Sequence, residues 1–213
     1  MAAGAIGTAL GEREDRLMVL EENPSQTAAE RALILRARAG DAGAFDQLMI
    51  LRQRQVLNTA WRLLGQVEDA KDAAQEVFLR LYRSLSRIDA ERDLRAWLYR
   101  VTVNVCNDLG NRRRRPETIS LEVETEKVDA LPARDDEMVV RIDRAAQLRL
   151  IQRALGTLSP KERAALVLRD IEGLTSEEVA QVLGTSSMTV RSQISSARMK
   201  IKRYRERILR RRI

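Results

Sequence analysis

The side chains best suited to chemistry in this chain are those that would meet a nucleic acid. Ala180, Gly184 and Val190 stand at the offsets of a helix-turn-helix: a small residue where two helices touch, a glycine at the bend and an apolar anchor on the second helix. With Val179, Leu183, Val190, Ile194 and Ala197 facing inward, Met188, Arg191, Ser192 and Ser195 fall on the outer N-terminal face of the last helix. Arginine pairs with guanine and serine both donates and accepts, so the set suits reading of the major groove. Residues 187–213 hold ten bases and one acid, placed where phosphates flank such a groove.

A second constellation has the opposite sign. Asp69, Asp72 and Glu76 recur at i, i+3 and i+7 with Gln75 beside them, so on a helix their carboxylates line one face. DNA is repelled by such a ridge, which leaves either solvent or a protein with a basic surface to cover it. Paired carboxylates also serve acid–base catalysis, but nothing around these reads as an enclosed pocket. The chain has no histidine and a single cysteine, Cys106, which excludes a Ser-His-Asp or Cys-His centre and an internal disulfide and argues against a zinc site. Cys106 lies among apolar neighbours and reads as packing. The expectation is a protein that is not an enzyme and uses no cofactor and no metal.

Helices must carry both faces. Among 213 residues, 44% are hydrophobic but only seven are aromatic, and prolines number four, so the cores are aliphatic and the fold class is all-α. Charge divides the chain. Residues 31–115 carry seventeen bases against ten acids, 116–137 eight acids against two bases, and 138–213 seventeen bases against seven acids. The acidic strip contains Pro116 and Pro132, lacks helical periodicity and reads as a flexible linker between two small helical domains. Residues 1–24 read as a disordered extension, broken by Glu12, Arg13, Glu14, Asp15 and Arg16 and so unlike a signal peptide. No apolar run reaches the roughly 20 residues that span a bilayer, which predicts no stable membrane insertion and a cytoplasmic location.

In the first domain, 25–115, Thr27 and Glu30 form a capping box for the first of four helices. A second runs from about Ala44 to Leu64. The third carries Val67, Ala70, Ala74, Val77, Phe78 and Leu81 on one stripe, and a fourth, capped by Asp93, carries Leu94, Trp97, Leu98, Val101, Val105 and Leu109 before Gly110. In the second domain, 138–213, a helix over about 139–155 stops at Gly156, and Ser159-Pro160-Lys161-Glu162 starts another that is expected to end before Gly173. Thr175 with Glu178 caps a short helix to Leu183, and Ser186 or Ser187 caps the last.

These residues resemble a known family, the bacterial RNA polymerase sigma factors of the extracytoplasmic-function class. The resemblance covers about residues 28–208 and rests on Asp69-Ala70-Lys71-Asp72-Ala73-Ala74-Gln75-Glu76-Val77-Phe78, on Arg95-Ala96-Trp97-Leu98-Tyr99-Arg100 with Asn104, and on Leu158-Ser159-Pro160. It continues through Arg163, Leu168-Arg169, Glu172-Gly173-Leu174, the stretch from Ala180 to Gly184, Thr189-Val190-Arg191-Ser192 and Ala197-Arg198. The resemblance implies a promoter-specificity subunit that binds core RNA polymerase, reads two promoter elements and assists melting. Asp69, Asp72, Gln75 and Glu76 would dock on the beta-prime clamp helices, and the second domain would lie near the beta flap. Minus-10 DNA would meet Arg87, Arg92, Trp97, Arg100, Asn104, Arg112 and Arg113, in a region that holds an extruded base. Minus-35 DNA would meet Ser187, Met188, Thr189, Arg191, Ser192, Ser195, Arg198 and Lys202. The acidic linker would occupy the RNA exit path, and an anti-sigma factor is an implied partner. Val103, Val105 and Cys106 are more apolar than the basic stretch the family carries there, and Gln193 and Ser196 stand where it commonly has bases. The competing reading is a stand-alone helix-turn-helix regulator that binds duplex operator DNA without polymerase.

Overall fold

The computed structural model describes residues 24–114 and 147–210. The expected N-terminal extension, apart from its last residue, and the acidic linker lie outside the described residues. The first unit contains α1 (Pro24–Arg38), α2 (Ala42–Leu64), α3 (Val67–Ser84), a 3-10 turn at Leu85–Arg87 and α4 (Leu94–Arg114). The second contains α5, described over residues 147–156, then α6 (Pro160–Leu166) running into a π turn (Val167–Ile171), α7 (Ser176–Leu183) and α8 (Ser187–Arg210). Among the described residues there is no strand.

Local chemistry sets the element ends. Asp41 accepts from the backbone N–H of Ala44 at 3.0 Å and so starts α2, while Gly65 ends it at φ 86° with its N–H on the Trp61 carbonyl. Ser159 and Glu162 form the expected capping box of α6 and Thr175 and Glu178 that of α7, both reciprocal. Of the two serines at the start of α8, Ser186 is the cap, its Oγ accepting from Thr189 N at 3.1 Å.

The apolar stripes become two cores. Ala70, Ala73, Ala74, Val77 and Leu81 of α3 are buried against Ile34, Leu48, Val56 and Ala60 of α1 and α2 and against Leu94, Leu98, Val105 and Cys106 of α4. Three alanines on one face let α3 approach its neighbours closely, consistent with so few rings. Val67, at the start of α3, is exposed instead. The second core gathers Leu155, Leu158, Leu166, Val167, Leu168, Val179, Val190, Ile194, Ala197 and Ile201.

Two expectations are corrected and a third is refined. α1 begins at Pro24, ahead of Thr27, and Glu30 is buried with its carboxylate gripped by Arg52 at 2.5 and 2.6 Å, so it ties α1 to α2 and does not cap. α4 runs through Gly110 to Arg114, because one glycine costs only about 1 kcal/mol in a helix that packing already holds. The helix begun at Pro160 does end before Gly173, but its last part is not regular: after Leu166 it widens, and Glu172 N–H reaches back to the Val167 carbonyl at 2.9 Å.

The two units also touch. Tyr99 and Val103 of α4 belong to the apolar cluster of the second unit, α4 packs on α7, and Arg163 donates to the Leu63 carbonyl at 2.7 Å.

Candidate nucleic-acid interface and acidic docking ridge

The turn between α7 and α8 is built as its residues require. Gly184 adopts φ 62°, a left-handed conformation that β-carbon-bearing residues avoid, and both Gly184 N–H and Thr185 N–H return to the Ala180 carbonyl. No atom lies within 4 Å of where a Cβ would sit, so the glycine serves the bend and not a close approach. Val179, Val190, Ile194 and Ala197 are buried and Leu183 is partly buried, as the pattern requires.

That packing leaves the predicted reading face outward. Met188 is 78% exposed, and Thr189, Arg191, Ser192, Ser195, Arg198 and Lys202 are exposed, while Ser187 is half-buried at the helix start. Arg191 and Ser195 share an open cleft with Arg169, Ser176 and Arg198. Arg191 donates to Glu177 at 2.8 Å in an exposed pair, which water or a base edge can replace at little cost. Arg198 is held harder: its fork grips Asp170 at 2.9 and 2.6 Å, and Asp170 is largely buried. It pins α8 to the π turn.

Gln193 and Ser196 do not join this face. The Gln193 Oε1 is buried without a hydrogen bond, and Ser196 Oγ donates to Glu162 Oε1 at 2.6 Å. Glu162 gathers four donors in all, accepting also from Lys200 Nζ at 2.8 and 2.7 Å, Ser159 N–H at 2.9 Å and Ser159 Oγ at 2.8 Å. Lys200 first, then Ser196 and the Ser159 backbone, hold its carboxyl down at about 2, from an ordinary 4.5. A carboxylate held down in the native state contributes stability that is complete above about 4.5 and is lost as pH falls towards about 2. We expect Glu162→Gln to lower stability at neutral pH by about 2 kcal/mol and to flatten the acid limb of the unfolding curve in that window. Denaturant melts at stepped pH check this; an acid limb identical to the parent's would refute the linkage.

On the first unit, Asp72 and Gln75 are exposed, Asp69 is half-buried, and Glu76 accepts from Arg80 Nε at 2.7 Å. The ridge is thus real, with its centre open and its C-terminal end engaged. Cys106 lies beneath it: burial, aided by Asp69, pushes the thiol up to about 12, so it stays protonated and packs. Val105 is buried beside it in the first core and Val103 against the second unit, which explains why this stretch is apolar.

Trp97, Arg100 and Asn104 share a face of α4, at i, i+3 and i+7. Trp97 is partly buried against the first core and Asn104 is exposed. Arg100 reaches across to the second unit and donates to the Gln181 carbonyl at 2.8 Å. Arg87 and Arg92 are exposed in the segment before α4, Arg92 within 3.3 Å of Asp89, and the last turn of α4 presents Arg112 and carries Arg113. The residues expected to meet minus-10 DNA therefore lie along one helix and the segment before it. Sequence reasoning missed the residues that join the units, Thr59, Arg62, Tyr99 and Glu172, because their partners lie 73 to 113 residues away and no local spacing marks them. Among the described residues no helix is long and apolar enough to cross a membrane.

Two families match this chain: Sigma-70 region 2 over residues 49–116 and Sigma-70, region 4 over residues 148–201. The chain is 31% identical over 189 residues to the RNA polymerase sigma-H factor of Pseudomonas aeruginosa, covering 85% of this chain and 96% of that protein. It is 37% identical over 170 residues to the ECF RNA polymerase sigma factor SigE of Mycolicibacterium smegmatis, covering 78% of this chain and 64% of that longer protein. Among solved structures, CnrH in complex with the cytosolic domain of CnrY aligns with a TM-score of 0.60 at 27% identity, covering 83% of this chain and 96% of that one.

Proposed function

The chain belongs to the extracytoplasmic-function (ECF) family of RNA polymerase sigma factors, and from that premise we propose how its two units divide the work of a promoter-specificity subunit. α3 docks on core polymerase through Asp72 and Gln75, with Asp69 and Glu76 at the margins. The clamp helices of beta-prime are the partner. α4, with the loop before it, meets the minus-10 element, and α8 reads the minus-35 element through Met188, Arg191, Ser192 and Ser195. The chain catalyses nothing itself and acts where polymerase acts, in the cytoplasm. A second protein that covers these faces, as the cytosolic domain of CnrY binds CnrH, would be its antagonist.

The observation that carries this reading is the pairing of an outward helix-turn-helix reading face with an exposed acidic ridge on a different unit. A regulator that binds DNA alone has no use for a surface that repels DNA. Purified chain mixed with core polymerase is expected to co-elute and to bind promoter DNA far more tightly than the free chain does. A folded chain that fails to associate with core would overturn the proposal.

Arg191 is the side chain on the reading face best formed for a bidentate base contact. Arg191→Ala is expected to weaken binding of the holoenzyme to its minus-35 element by about 1 to 3 kcal/mol and to relax base preference at one position. Competition binding with single-base promoter variants measures this; an unaltered preference profile would remove Arg191 from the contact set.

A further inference from the structure

The segment that leads into α4, from Leu85 to Asp93, is held from outside by α1. Leu85 and Ile88 are buried, Ile88 in the apolar cluster that also contains Ile34 of α1, while Ser86, Arg87, Asp89, Glu91 and Arg92 are exposed. Two arginines of α1 reach this exposed stretch. Arg38 donates to the Ser86 carbonyl at 3.0 Å, and Arg31 pairs with the Glu91 carboxylate. The two stand seven residues apart on one face of α1, roughly 10 Å along its axis, so they grip the segment at two separate points. Each gripped residue adjoins a cation expected to meet minus-10 DNA: Ser86 precedes Arg87, and Glu91 precedes Arg92.

The segment also carries three acids, Asp89, Glu91 and Asp93, where it would face a polyanion, and each is engaged. Asp89 accepts from Glu91 N–H at 3.0 Å and lies 3.3 Å from Arg92. Asp93 accepts from Arg95 N–H at 2.8 Å and from Arg95 Nε at 2.9 Å. Glu91 is neutralised by Arg31, the one partner among these that comes from a different helix. Arg87 differs from the other cations of the segment: no carboxylate of the described residues pairs with it.

Bonds as exposed as those of Arg31 and Arg38 add little to the stability of the unit. They act on the freedom of the segment. Where a loop must be ordered before its side chains can read a base, binding bears the entropy of that ordering. The cost falls on a promoter whose base makes the contact, because a mismatched base leaves the loop as it was. A loosened segment therefore loses discrimination.

Resting on the sigma-factor reading, we infer that α1 is part of the minus-10 reader: Arg31 and Arg38 are positioning residues that hold residues 85–93 in their reading shape, neutralise Glu91 and leave Arg87 free to meet DNA.

The test uses holoenzyme assembled from the full chain and core polymerase, promoter fragments with single-base changes in the minus-10 element, and stepped salt. Arg31→Ala and Arg38→Ala are each expected to lower discrimination against the wrong base about threefold, and the double variant about tenfold. Core affinity and minus-35 preference stay parental. So does the slope of binding against salt, because neither side chain touches a phosphate. Arg31→Ala adds nothing in a Glu91→Gln background, and Arg38→Ala adds little in an Arg87→Ala background, since each acts through the residue it holds or adjoins. In the free chain, hydrogen exchange across residues 85–93 is expected to quicken several-fold in the double variant, with α3 and α4 keeping parental protection. Parental discrimination in the double variant would overturn the positioning role. A salt slope reduced by about one for each arginine, with base preference unchanged, would make them phosphate contacts and overturn it equally. Parental exchange across the segment would overturn the brace. A parent holoenzyme indifferent to the minus-10 sequence would instead strike the sigma-factor reading, while exchange in the free chain would still judge the brace.

Discussion

Exchanging Asp72 and Glu76 together for arginine is expected to weaken binding to core polymerase by roughly 100-fold, about 3 kcal/mol, while the first unit stays folded. The two side chains contribute unequally. Asp72 is exposed, whereas Glu76 is held by Arg80, which itself lies 3.7 Å from Asp108. A basic partner can take Asp72 directly but must compete with Arg80 for Glu76, so Asp72→Arg alone carries most of the loss. Folding is spared because neither residue belongs to the core, which on α3 is made by Ala70, Ala73, Ala74, Val77 and Leu81. Equilibrium binding of labelled chain to core, with thermal melts of the free variants, measures both halves. Full core affinity in a folded double variant would show that solvent alone covers the ridge.

How much of this was legible in the sequence depended on the range of the interaction. Signals completed within four or five residues were read correctly: the capping boxes at Ser159 and Thr175, the left-handed glycines at 65 and 184, and the outward face of α8 each depend on neighbours in the chain. The Thr27–Glu30 spacing has the same local form, yet Glu30 is buried against Arg52, twenty-two residues away, and a buried carboxylate gripped at two atoms outweighs an end cap. Ser196, which stands where the family commonly has a base, donates to the Glu162 carboxylate, a partner 34 residues away that helical spacing does not reveal. The joint at Glu172 was the least visible. Its acceptor follows the π turn while its donors lie on α2 (Thr59 and Arg62) and α4 (Tyr99), and nothing in their spacing distinguishes them from ordinary helix surface.

The π turn was equally hidden, and Leu168, one of its two buried residues, makes the strongest stability prediction. Leu168 has no solvent exposure and lies in the widened turn between α6 and the segment carrying Glu172. Its carbonyl accepts from Leu174 N–H at 3.0 Å, which begins the chain's return towards α7. Leu168→Ala leaves every backbone bond intact but removes a side chain from the middle of the second core, and is expected to cost about 3 kcal/mol, within the range for buried leucines. Leu148→Ala, at a leucine 40% exposed, is expected to cost less than about 1 kcal/mol and serves as the control. Urea melts followed by circular dichroism separate the two. Because Tyr99 and Val103 of the first unit are buried in the same cluster as Leu168, the loss is expected to reach beyond the helix-turn-helix. Parent and variant melt in one transition if the units are coupled, whereas a variant that unfolds in two steps, with the first unit retaining its parental midpoint, would show that the shared cluster does not bind them. A cost below about 1 kcal/mol would contradict the packing of the π turn itself.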